Sequence, residues 1–260
     1  MSENVIYCYS GSGNCLDMAK NIAKELGNTE IVMMRSFPVK TDATEAKRVG
    51  FIFPCYGGGL PGNVESYVKS IHIGVDAYKF AIVQYAGYKG CGLHKIDERF
   101  RLNYWCGVSH QCSAIWLFPH QLMLPPVTPG MAQKRSERKA KKIAAAVLAG
   151  EVSKKAPPKM RLNALESKVW PKLAKAKAKK FDVTESCVGC GQCVRLCPRG
   201  NIQLVGGKPQ FGTDCIQCLG CLQYCPREAI TLTEKTVRRE HYHNPNVSVD
   251  ELTKDIIHFD

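Results

Sequence analysis

Long apolar runs are missing from this chain. Nothing in its 260 residues approaches the roughly 20 consecutive apolar positions that cross a bilayer, so no membrane span is expected. The opening Met1-Ser2-Glu3-Asn4 has no basic stretch and carries an acid, so no secretory leader is expected. The lysine of a triphosphate-binding loop is absent, and Gly11-Ser12-Gly13 is not completed to Gly-x-Gly-x-x-Gly. A nucleoside triphosphate or a dinucleotide is therefore not the expected ligand. No Ser/His/Asp, Cys/His or paired-carboxylate constellation stands out, so hydrolytic and covalent catalysis have no support. His94, His110 and His120 show no ligand spacing and read as ordinary polar residues.

Acid is scarce in one place. Residues 131–181 hold 16 Lys and Arg against three acids, leaving 20 of each sign elsewhere, so the net charge of +13 lies in that segment. A solvated helix face is the common fate of such a run. The functional alternative is a docking patch for an acidic partner. Nucleic-acid binding is disfavoured, because interleaved aromatics and a reading module are lacking.

Cysteine, by contrast, is abundant: there are 14. Eight form two runs, Cys187-x-x-Cys190-x-x-Cys193-x-x-x-Cys197-Pro198 and Cys215-x-x-Cys218-x-x-Cys221-x-x-x-Cys225-Pro226, each position recurring 28 residues later. Structural zinc prefers two Cys-x-x-Cys pairs separated by a longer loop. Disulfides fit poorly with such close spacing and no leader. The other six, Cys8, Cys15, Cys55, Cys91, Cys106 and Cys112, read as free thiols in a reducing, cytoplasmic and oxygen-poor setting.

The spacing resembles the bacterial two-cluster ferredoxin, whose fourth cysteine in each run binds the opposite cluster. The resemblance implies one 4Fe–4S cluster on Cys187, Cys190, Cys193 and Cys225, and a second on Cys215, Cys218, Cys221 and Cys197. Arg195, Arg199 and Arg227 lie inside or just after the runs, where positive charge would stabilise reduced clusters; surface solubility is the alternative role.

Ahead of the runs, apolar stretches at 4–9, 30–34, 49–54, 79–85 and 113–118 read as strands. They alternate with helical stretches at about 15–26, 61–70, 91–103 and 131–149. Alternation of this kind predicts an α/β doubly wound parallel sheet of five strands, with ligands beyond the strands' carboxyl ends. The first strand leads through Ser10-Gly11-Ser12-Gly13-Asn14-Cys15 into a helix, a cradle for one terminal phosphate. This loop resembles the flavodoxin phosphate loop, though that family would place threonine at Cys15.

The likeness implies FMN. It places the isoalloxazine ring against Pro54, Cys55, Tyr56, Gly57 and Gly58 after the third strand, and Ala86, Gly87, Tyr88 and Gly90 after the fourth. Tyr56 and Tyr88 are candidates to flank the ring. A peptide flip after Tyr56, eased by the glycines, would stabilise a half-reduced ring. Trp116 and Met123, at and beyond the end of the fifth strand, could reach it, though core packing is the favoured role of Trp116.

Taken whole, the chain resembles the flavodoxin–ferredoxin fusions of anaerobes. Residues 1–150 form the FMN half, 151–181 a basic helical connector that Pro171 should kink or interrupt, 182–235 an α+β ferredoxin-like domain, and 236–260 a tail with a final helix to about residue 258 begun by a Ser248/Glu251 capping box. The implied function is electron transfer between FMN and two 4Fe–4S clusters, and on to or from a redox partner such as a ferredoxin held by the connector. Reduction of a small acceptor at FMN and a redox-sensing adaptor are the alternatives. A symmetric homodimer is a second way to bring flavin and clusters together.

Overall fold

The computed structural model describes residues 2–35, 37–115 and 128–260. The strands of the main sheet are β1 Asn4–Cys8, β2 Thr29–Met33, β3 Arg48–Pro54, β4 Tyr78–Tyr85 and β5 Tyr104–Ser109. A hairpin follows, of β6 Ile202–Val205 and β7 Lys208–Phe211, and then β8 Ile256–Phe259. The first five strands are parallel and lie in the order β2-β1-β3-β4-β5. This is the doubly wound, flavodoxin-like order, whose switch point falls between β1 and β3.

The pattern is legible residue by residue. Ile6, Cys8, Ile31, Met33, Ile52, Phe80 and Ile82 face one layer, with α1 Asn14–Leu26 and α4 Pro129–Leu148. Val5, Tyr7, Val32, Phe51, Phe53 and Val83 face the other, with α2 Gly62–Val68 and α3 Gly92–Phe100. Strands covered on both faces become nearly continuous apolar runs, and β1 is buried at all five positions.

Two expectations need correction. The fifth strand is Tyr104–Ser109, paired with β4 from Phe80↔Tyr104 to Tyr85↔Ser109, not 113–118. Residues 113–115 lie outside any strand, and 116–118 fall outside the described residues. The helix before it, α3, is also shorter than the expected 91–103. It ends at Phe100, where Arg101 takes a left-handed φ of 58° and its N–H bonds to Asp97 O.

The expected final helix is only α9 Val249–Thr253. Its capping box does form, with Glu251 N–H donating to Ser248 Oγ at 3.2 Å and Ser248 N–H to Glu251 Oε2 at 2.8 Å. The chain then extends as β8, antiparallel to β2 from Ile256↔Val32 to Phe259↔Thr29. Among the described residues the sheet therefore has six strands, the sixth supplied from beyond the cysteine runs.

Connector helix α5, Arg161–Ala178, continues through Pro171 as one helix. The cysteine module holds α6 Gln192–Leu196, the β6–β7 hairpin, α7 Gly220–Gln223 and α8 Glu234–Val237. Its core includes Ile202, Leu219, Leu222, Ile230 and Leu232. Among the described residues no helix is long and apolar enough to cross a membrane, and none of the 14 cysteines is disulfide-bonded.

Candidate functional site

The loops leaving β1, β3, β4 and β5 meet around a cavity of about 440 Å³, within the range that holds small ligands and cofactors. Twelve of the expected residues line it: Ser10, Gly11, Ser12, Asn14, Cys15, Pro54, Cys55, Tyr56, Gly57, Ala86, Gly87 and Tyr88. Gly13, Gly58 and Gly90 do not, and shape the loops instead. Gly13 takes φ 89° ahead of α1, and Gly58 O accepts from Cys91 N–H at 2.8 Å. Ser10 Oγ accepts from Cys15 N–H at 3.2 Å, closing the first loop over the helix start. Trp116 and Met123 lie outside the described residues.

Other lining residues were not foreseen. Gln84 closes β4, and His110, Gln111 and Cys112 follow β5. The displaced fifth strand hid the latter three. His110, expected to be an ordinary polar residue, is 2 % exposed, and burial lowers the pKa of its imidazole to about 4. Glu166 and Trp170 come from α5 and Gln217 from the second cysteine run. Only the tertiary fold brings those three in.

The wall carries polar groups that await a partner. Both amide atoms of Gln84 and of Gln111, Gln217 Oε1 and Trp170 Nε1 are buried and have no hydrogen-bond partner. Such groups are costly unless a ligand or water satisfies them. Among the described lining residues there is no lysine or arginine, so an anion here must be held by neutral donors and the start of α1.

Trp170 stands on the β3 loop. A Cβ on Gly57, at φ 48°, would lie 2.1 Å from Trp170 Cγ. In that turn Tyr56 N–H donates to Gly59 O at 3.1 Å and Gly59 N–H to Tyr56 O at 2.9 Å. At the cavity mouth, the Tyr88 hydroxyl donates to Glu166 Oε1 at 2.5 Å. Burial, then this carboxylate, pushes the Tyr88 phenol well up.

The eight cysteines gather into two sets. Cys187, Cys190, Cys193 and Cys225 line one cavity. Cys197, Cys215, Cys218 and Cys221 line another. Each set takes three cysteines from one run and the fourth from the other. Among the described residues, no three or more Cys, His, Asp or Glu close on a point that would hold a single metal ion. Four thiols, three from one run and the fourth from the other, are the ligand pattern of a cubane cluster in a two-cluster ferredoxin. Backbone N–H groups already aim at the sulfurs. Asn201 donates to Cys197 Sγ at 3.2 Å, Ala229 to Cys225 Sγ at 3.3 Å and Gln217 to Cys215 Sγ at 3.3 Å. Arg195 and Arg199 are instead engaged by Asp250 and Asp214, while Arg227 lines the first cysteine cavity.

The second set adjoins the larger cavity. Gln217 lines one space and its neighbour Cys218 the other. Cys218 is packed against Gly11, where an added Cβ would lie 2.7 Å from its carbonyl oxygen. Tyr9 and Tyr56 fill the same wall edge to face, with centroids 6.3 Å apart.

Residues 179–226 match the 4Fe-4S dicluster domain family. The chain thus joins a flavodoxin-like α/β half to a 4Fe–4S dicluster domain. Similar solved structures include an azoreductase from Bacillus anthracis (10 % identity, 55 % of this chain and 99 % of that one, TM-score 0.39). A flavodoxin from the domain Archaea shows 18 % identity over 57 % of this chain and 99 % of its own, with a TM-score of 0.37. The rubredoxin oxygen:oxidoreductase of Desulfovibrio gigas shows 14 % identity over 56 % of this chain and 36 % of its own, with a TM-score of 0.37. No curated protein matches the chain in sequence.

Proposed function

We propose that this chain is an electron-transfer protein that holds FMN in the large cavity and one 4Fe–4S cluster in each cysteine cavity. When bound, the flavin exchanges two electrons and each cluster one. The observation that carries this reading is the shared wall. Gln217 and Cys218, adjacent in sequence, face the flavin cavity and the cavity of Cys197, Cys215, Cys218 and Cys221 respectively. Occupants of the two spaces are neighbours within one chain, so no dimer is needed to join them.

The residues then have distinct tasks. Ser10, Ser12, Asn14 and the first N–H groups of α1 hold the phosphate. Gln84 and Gln111 meet the polar edge of the ring, while Tyr56 and Trp170 keep water from it. The N–H donors of Asn201, Ala229 and Gln217 favour the reduced clusters and raise their potentials. Cys187, Cys190, Cys193 and Cys225 hold the outer cluster, where Cys190 reaches the surface.

The partner reading rests on α5. Leu162, Leu165, Val169 and Leu173 form an exposed stripe along it, beside exposed Lys168, Lys172, Lys175 and Lys179. An apolar stripe next to a row of lysines suits an acidic redox protein such as a ferredoxin. Fourteen cysteines without a disulfide and oxygen-labile clusters suit a reducing, oxygen-poor compartment such as an anaerobe's cytoplasm.

Anaerobic purification with iron, sulfide and flavin assays tests the reading. About eight irons and one FMN per chain are expected for two cubanes and one flavin. A flavin-free or iron-free preparation overturns it.

A further inference from the structure

Residues 242–246 lie across the phosphate loop. The Asn244 backbone N–H donates to Ser12 O at 2.8 Å, and the Asn244 side chain is fully buried. Its orientation follows from one backbone group. Asn246 N–H can only donate, and it points at Asn244 Oδ1 at 2.9 Å, so the other atom of that amide is the NH2. That NH2 donates to Gln133 Oε1 and to Asn14 Oδ1, both at 3.1 Å. Gln133 agrees, because its own NH2 meets the carboxylates of Asp17 at 2.7 Å and Glu137 at 3.1 Å. The Asn14 atom facing Asn244 must then be oxygen, and the Tyr242 hydroxyl, 2.8 Å from it, must be a donor. With its oxygen taken by two donors, Asn14 offers only its NH2 to the cavity it lines.

The strap also belongs to the cysteine module. Tyr242 N–H donates to Gln223 Oε1 at 2.6 Å, and the His243 ring lies 4.4 Å from that of Tyr224. We infer that Tyr242 and Asn244 are positioning residues that fix Asn14 as a hydrogen-bond donor to a phosphate monoester, so that the anion cradle is completed by chain from beyond the cysteine runs. The inference deepens the proposed FMN site and rests on it. It assigns these residues to the phosphate alone, not to the ring.

FMN and riboflavin, which differ by that phosphate, separate the possibilities. Their dissociation constants would be measured on the full chain with its clusters, by flavin fluorescence quenching. Tyr242→Phe, which removes one donor, should weaken FMN roughly fivefold and move riboflavin less than twofold. Asn244→Asp, which replaces a donor by an acceptor, should weaken FMN by roughly tenfold or more. On an Asn14→Ala background, Tyr242→Phe should cost nothing further. If Asn244→Asp does not fold, the Tyr242→Phe comparison decides alone. Equal loss of FMN and riboflavin, or no loss of FMN, overturns the inference while leaving the flavin site standing. A wild-type chain that binds neither flavin overturns both.

Discussion

Gly11 and Cys218 touch backbone to backbone: a methyl group on Gly11 would sit 2.7 Å from the Cys218 carbonyl oxygen and 3.1 Å from its Cβ. The Ser10–Cys15 loop of one half thus presses on a cysteine of the other. Gly11→Ala should destabilise the chain by about 1–3 kcal/mol, the usual cost of overpacking. It should also slow electron equilibration between flavin and clusters. Thermal unfolding and flash-induced absorbance transients would check this, and unchanged transients would remove the wall from the electron path.

Trp170 and Gly57 form a coupled pair. Gly57→Ala carries both the strain of a side chain at φ 48° and a collision with the indole. Its cost should fall by about 1 kcal/mol or more when Trp170 is also Ala, since the collision is then gone. Denaturant unfolding of the two single variants and the double variant reads this directly. The same geometry bears on the expected peptide flip, because Tyr56 O already accepts the Gly59 N–H and a flip would break that bond.

His110 makes stability depend on pH. Burial lowers its folded-state pKa from 6.5 to about 4. Between those values the unfolded chain binds the extra proton, so stability rises with pH through this window and is lost as pH falls below 6.5. The full effect of one such histidine is about 3 kcal/mol. His241 shifts in the same direction, burial being the first cause. His110→Gln should flatten the loss between pH 7 and 5, and an equal slope in wild type and variant would contradict this.

Charge reversal on α5 tests the partner face. Lys175→Glu with Lys179→Glu should slow reduction by an acidic ferredoxin about tenfold at low ionic strength. The wild-type rate should approach that of the variant as salt rises. Stopped-flow traces at several salt concentrations would show it, and a salt-independent rate would move docking elsewhere.

Removing residues 255–260 would bare the edge of β2, which β8 now covers. Ile257 and Phe259 would also leave the core against which they pack. The truncated chain should unfold at lower temperature and self-associate, as open sheet edges do. Calorimetry and light scattering would report both.

Local signals carried most of what could be foreseen. The cysteine spacing names its own partners, because eight positions repeat with one period. The loop at Ser10–Cys15 declares itself by sitting between an apolar run and an amphipathic helix. By contrast, Tyr104–Ser109 carries polar, glycine and aromatic residues in mixed order with no clear period of two, so neither this strand nor His110 and Gln111 after it has a local signal. Trp170, Glu166, Gln217 and Asn244 reach their sites only through long-range packing, and no window of sequence around them speaks of a cavity.

Because β8 follows the cysteine module yet completes the sheet begun at Asn4, the first half cannot finish its architecture until the second has been synthesised. Residues 256–259 are therefore the last part of the sheet to leave the ribosome.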